Sequence, residues 1–246
     1  MSGKSIIYIL EILLIILSLG VVAAQEDDAG IKEFILVTEI NYPDAIVGSV
    51  VGERFGLPLL LTPADKLPDK VIDFIDTNNP ETVYIFGGPA VISEDIEQEL
   101  RDRGIDVIRL WGVTRYGTAA EVAKKFWPEG SEKAVIVVDV IDPSLGTGYE
   151  HAQLDLAKSL AAEDDVPILL TAAEELSSDT ADTLSVLGVK SVTLIGKDLG
   201  VNLTEDLKGL GIEYEEITAP AEEDLIKKIQ SKIMNKIKSR LGNIDR

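Results

Sequence analysis

Few residues in this chain combine a chemically useful side chain with a telling position. Asp44 opens an expected helix after the first strand, where the helix dipole favours a carboxylate. Open α/β sheets also bind ligands beyond the carboxyl ends of their strands. Arg115 and Tyr116 follow the fourth strand at that same edge. The guanidinium could hold a phosphate or carboxylate bidentately, or pair internally with Asp44. Gly87-Gly88-Pro89 joins a strand to a helix, and reads either as an anion cradle at a helix N-terminus or as a tight turn. His151 is the sole histidine and there is no cysteine, which excludes thiol chemistry, disulfides and a transition-metal constellation. Carboxylate pairs such as Asp139 and Asp142 arise by composition alone among 43 acidic residues. No nucleophile elbow, Walker sequence or EF-hand loop is present, so catalysis is not expected. Asn202-Leu203-Thr204 is a glycosylation sequon that needs an exposed loop.

These residues are positioned by alternating strands and helices. Phe34–Val37, Leu57–Leu61, Thr82–Phe86 and Ile105–Leu110 read as buried strands. Helices are expected over Pro43–Phe55, Lys66–Asp76, from Ser93 onward, and over Thr118–Phe126. Continuous apolar strands alternating with helices predict a mainly parallel sheet covered on both faces. A second set follows, with strands Ala134–Val138, Pro167–Leu170, Ser191–Ile195 and Ile212–Glu216. Pro58 to Gly87 and Pro167 to Gly196 are equally spaced and share one offset, so the chain is a tandem repeat. The expected division is an N-terminal segment 1–24, a first module 31–128 and a second module 131–241, joined by a short Pro-Glu-Gly-Ser link. Such a link predicts modules that pack together. Pro58–Leu61 and Pro167–Leu170 read first as core strands, with exposed ends near Thr62 and Thr171.

Lys4 precedes an apolar run from Ile6 to Ala24, ending in small residues before Gln25. That pattern predicts a secretory signal peptide, or an uncleaved anchor, and places the protein outside the cell. Between Gln25 and Leu225 lie 15 basic and 41 acidic residues, a net −26. From Ile226 to Arg246, 7 basic residues face Asp245 alone, a net +6. The acidic body argues against nucleic acid. Ile226, Ile229, Ile233, Ile237 and Leu241 form one helical stripe flanked by lysines. It reads either as the last core helix of the second module or as a basic amphipathic arm.

Four segments carry a family resemblance: Asn41-Tyr42-Pro43-Asp44-Ala45, Gly56-Leu-Pro-Leu-Leu-Leu-Thr62, Val83-Tyr-Ile-Phe-Gly-Gly88, and Trp111-Gly-Val-Thr-Arg115-Tyr116-Gly-Thr-Ala119. In this order they resemble the cell wall-binding repeat 2 module of secreted proteins from clostridia, other Gram-positive bacteria and some archaea. The resemblance implies two tandem Rossmann-like or toprim-like α/β modules that attach noncovalently to an anionic wall polysaccharide. Asn41, Asp44, Thr62, Gly87, Gly88, Arg115 and Tyr116 are the implied ligand-binding set, and Asn202 is the glycosylation candidate. The second copy departs from the pattern: Asp142 to Tyr149 replaces the Asn-Tyr-Pro-Asp-Ala segment, and Lys197 stands for Gly88.

The expectation is therefore a secreted, non-catalytic envelope protein bound to a surface polysaccharide or surface-layer protein. No cofactor is expected, with Ca²⁺ entering only as a bridge between the acidic body and an anionic polymer. Self-association into a homo-oligomer is compatible with modules of this kind. The alternatives are an extracellular two-lobed solute-binding protein and, behind it, a wall-polymer hydrolase.

Overall fold

The computed structural model describes residues 30–39, 42–139, 146–196 and 199–217. The N-terminal segment 1–24, Asn41, Lys197 and the basic C-terminal stripe lie outside the described residues. In chain order the elements are β1 (Glu33–Thr38), α1 (Tyr42–Phe55), β2 (Leu59–Thr62), α2 (Asp69–Asn78), β3 (Thr82–Phe86), α3 (Glu94–Asp102), β4 (Asp106–Leu110) and α4 (Arg115–Phe126). The second series is β5 (Lys133–Asp139), α5 (Gly146–Asp164), β6 (Ile168–Ala172), α6 (Ser178–Leu187), β7 (Ser191–Ile195), α7 (Val201–Gly209) and β8 (Glu213–Ile217).

The strands form two four-stranded parallel sheets, ordered β2-β1-β3-β4 and β6-β5-β7-β8. The registers match across the repeat. Ile35 pairs with Leu59 and Tyr84 in the first sheet, and Val135 pairs with Ile168 and Thr193 in the second. Parallel pairing buries both faces, which is why the central strands read as unbroken apolar runs. On one face of the first sheet Phe34, Leu36, Val83 and Ile85 form a core with Val71 and Ile75 of α2 and Ile96 and Leu100 of α3. On the other face Ile35, Val37, Tyr84 and Phe86 join α1 and α4 in a core that continues into the second sheet.

That shared core makes the two modules one packed body. Helix α1 lies against α5, while α4 lies against both β6 and α6. The small residues Ala119, Ala120 and Ala123 of α4 are buried. Phe126 at the end of α4 contacts Tyr84 and Phe86 of the first sheet, with ring centroids 5.1 and 5.9 Å apart. Arg54 clamps the same junction. Its guanidinium donates to the Asp165 carbonyl at 2.8 Å, meets the Asp165 carboxylate at 2.7 Å, and lies 4.8 Å from the Trp127 ring centroid. The link after α4 is held as well: Ser131 N donates to Leu187 O at 2.9 Å. Gly130 has φ +87°, and a Cβ there would stand 2.5 Å from Leu187 O, so only glycine fits.

Candidate functional site

The carboxyl ends of β1, β3 and β4 converge on one edge of the first sheet. Asp44 occupies the first turn of α1 and is 2% exposed. Its Oδ2 lies 3.5 Å from the place a Cβ would take on Gly87. Gly87 has φ +121° and closes β3, so the strand can turn sharply beside that carboxylate. Asp44, Arg115 and Tyr116 each take part in further polar or ring interactions within the fold.

The turn after Gly87 is built around a residue that the sequence did not single out. Arg109, in β4, donates from Nη1 to Gly87 O at 2.9 Å and to Ile92 O at 3.0 Å, and from Nη2 to Ser93 O at 3.3 Å. Its Nε donates to Glu97 Oε2 at 2.6 Å, with both side chains largely buried. Burial acts to raise the Glu97 pKa, but hydrogen bonds from Arg109 and Arg101 outweigh it and hold the carboxyl below its ordinary value. Helix α3 begins at Glu94 and is capped by Ser93 Oγ, which accepts from Ile96 N at 3.4 Å. Glu94, Asp95 and Glu97 crowd its first turn. The tight-turn reading of Gly87-Gly88-Pro89 is the one the contacts describe: an internal guanidinium holds the Gly87 carbonyl, Gly88 O accepts from Val91 N and Ile92 N, and carboxylates crowd the next helix start.

Arg109 instead fixes the platform on which Trp111 rests. A Cβ on Gly88 would stand 2.7 Å from Trp111 Cε3 and 3.3 Å from Cδ2 and Cζ3, so the indole lies on a bare glycine backbone. Trp111 remains 45% exposed and Val113 is 96% exposed. Four residues beyond Trp111, Arg115 opens α4 as an exposed side chain, with Thr114 as N-cap accepting from Gly117 N at 3.2 Å. Helix α4, which chain order assigns to the first module, also lies against β6 and α6 and so carries Arg115 and Tyr116 at the boundary of both modules.

Other expectations change. Thr62 is buried rather than at an exposed strand end, and its hydroxyl donates to Pro63 O at 3.1 Å and Lys66 O at 3.2 Å. Thr171 is also buried, accepting from Ser177 N at 2.8 Å. The reason is local: each hydroxyl satisfies the backbone of the turn that follows its strand. Asn202 is exposed, but in the first turn of α7 rather than in a loop. Among the described residues no group of three His, Cys, Asp or Glu side chains could hold a metal, and no helix is long and apolar enough to cross a membrane.

The family profile described as Cell wall binding domain 2 (CWB2) matches residues 17–97 and 109–201. The chain belongs to this family. Its second match opens at 109 and so takes in α4, the helix that packing places against β6 and α6. An uncharacterised protein of Pyrococcus abyssi is 27% identical over 215 residues, covering 86% of this chain and 61% of that one. The N-acetylmuramoyl-L-alanine amidase LytC of Bacillus subtilis is 28% identical over 162 residues, covering 66% of this chain and 30% of the amidase. The chain therefore spans less than two thirds of either relative. Among solved structures, Cwp8 and Cwp6 from Clostridium difficile share the fold of this chain. Their TM-scores are 0.62 and 0.61 at 23% and 22% identity, over 80% and 77% of this chain and 33% and 29% of theirs.

Proposed function

We propose that this pair of cell wall-binding modules is a non-catalytic attachment device that holds an envelope glycan at the carboxyl edge of the first sheet. The carrying observation is the Trp111 indole, one face seated on Gly88 and the ring still 45% exposed. An exposed indole held flat by a rigid turn suits the apolar face of a sugar ring, and Arg115, four residues on at the start of α4, suits its hydroxyls or an attached acid. An acidic body favours uncharged sugar rings, or acidic ones bridged by Ca²⁺. An apolar leader at residues 6–24 fits delivery to the cell surface.

The solute-binding alternative is disfavoured by the packing. Lobes that close on a solute need a hinge, whereas these modules share a core and a link pinned by Gly130 and Ser131. In the open groove of about 310 Å³ at the amino ends of β5, β7 and β8, Lys133 is paired with Asp164 and Thr193 with Glu215. For the hydrolase reading, no convergent acid–base pair stands among the described residues of the carboxyl edge.

The test is co-sedimentation of the chain from Gln25 with isolated cell envelopes, with and without EDTA. Binding should persist, and Trp111→Ala should weaken it about tenfold, the equivalent of roughly 1.4 kcal/mol. Absence of sedimentation under both conditions would sink attachment altogether. Full binding by a folded Trp111→Ala protein would move the site away from this edge.

A further inference from the structure

The two copies of the repeat form an internal control for surface exposure. In the second module the edge strand carries Ile168, Leu169 and Leu170, which are 2%, 0% and 4% exposed. Helix α4 of the first module covers that edge and runs beside α6. Gly117 approaches Asp179 at one end of the pair, and Gly130 meets Leu187 at the other. In the first module the equivalent edge strand, β2, carries Leu59, Leu60 and Leu61, nearly the same side chains at the same register. All three are half-exposed. The neighbouring α2 adds Ile72 and Phe74, also half-exposed. The difference between the strands thus tracks the presence of a covering helix rather than residue type.

The contact between modules is heterologous: the tail helix of one unit sits on the edge strand of the next. Such contacts leave one unused donor and one unused acceptor, and repeat until they close. Among the described residues the unused acceptor is the β2–α2 face. The unused donor is the counterpart of α4 in the second copy, where Leu225-Ile-Lys-Lys-Ile229 repeats the pattern of Val122-Ala-Lys-Lys-Phe126. Twenty-nine residues, 218–246, follow the last described strand, ample for a helix as long as α4.

We propose that the β2–α2 face of this protein is a docking surface for the C-terminal segment of a second copy of the same chain. Charge favours that occupant: α2 exposes Asp69 and Asp73 against Lys70, with Asp76 already paired to Arg103, while residues 226–246 carry a net +6. An uncovered apolar edge is also a hazard that folds normally cap. Phe74 stands where the second copy has Thr183, and packs edge-on against Phe34 at 5.4 Å between centroids. A helix on β2 therefore rides higher than α4 does on β6. This inference is independent of the glycan site at the carboxyl ends of the strands.

The absence of cysteine permits a direct test with the chain from Gln25, which contains every described residue. Chains bearing only Ile72→Cys are mixed with chains bearing only Ile229→Cys and oxidised. Mixed disulfide dimers should dominate over either homodimer, and light scattering should give a multiple of the chain mass. Asp69→Lys with Asp73→Lys lies on the exposed face of α2 and leaves the second module untouched. This pair should weaken self-association about tenfold, and added salt should weaken the parent protein in the same sense. A monomer at tens of micromolar, or homodimers as abundant as the mixed species, would overturn the proposal. So would charge-reversed protein that associates as well as the parent.

Discussion

Replacing Arg109 by Met tests how the carboxyl edge is held. The guanidinium donates to Glu97 at 2.6 Å and to three carbonyls at 2.9, 3.0 and 3.3 Å, with little solvent to replace it. Breaking a buried pair by removing one partner typically costs about 3–5 kcal/mol, because the remaining charge is stranded. Glu97 keeps Arg101 at 2.5 Å, so the lower end, about 3 kcal/mol, is expected. That is a large share of a domain's usual ~5–15 kcal/mol. Urea unfolding followed by circular dichroism reads the loss, and Trp111 emission should shift red as the Gly87–Ser93 turn loosens. A companion Glu97→Met in the same chain should restore part of the stability by removing the stranded charge. The pH dependence follows from the lowered Glu97 pKa. Its stabilisation is full above the ordinary glutamate value of the unfolded chain, and is lost as pH falls through the lower folded value. The gap between parent and Arg109→Met should therefore narrow on the acid side. A loss below about 1 kcal/mol at neutral pH would refute this account of the turn.

Three further outcomes are expected. Gly88→Ala pushes a methyl into the Trp111 ring at 2.7 Å; the exposed indole yields, so stability falls by less than about 1 kcal/mol while Trp111 emission and envelope binding both change. Gly130→Ala meets both a positive φ and a backbone oxygen at 2.5 Å, and should cost about 2 kcal/mol or more in urea titration; an unchanged midpoint would show that the link is not fixed by α6. Phe126→Ala removes a ring touching Tyr84, Phe86 and Phe55, and should cost about 3–5 kcal/mol. Unfolding should remain one cooperative transition in that variant and in the parent, and two separate transitions would contradict the shared core.

Much of the architecture was legible from the chain because burial on both faces leaves an unmistakable apolar run. Strand β3 was expected at Thr82–Phe86 and found there, and Ser93 was readable as the cap of α3 because its hydroxyl acts within one turn. The site was harder. Arg109 sits inside Asp106-Val-Ile-Arg-Leu110, where a strand pattern offers no sign of partners 12 to 22 residues away. Thr62 looked like an exposed end because the strand ends there, yet the following turn folds over it. Trp111 was part of a recognisable segment, but its exposure depends on Gly88 arriving beneath it from another strand.

The sequence determined the caps and tight turns, which depend on neighbours a few residues apart, and the α/β units and their repeat, which show as apolar runs and as landmarks sharing one offset. Tertiary structure alone decided that Arg109 fills the glycine turn and that Trp111 lies bare upon it. It also decided that α4, continuous in chain with the first sheet, closes the edge of the second. Those outcomes rest on contacts between surfaces distant in sequence, and packing rather than propensity selects which surfaces meet.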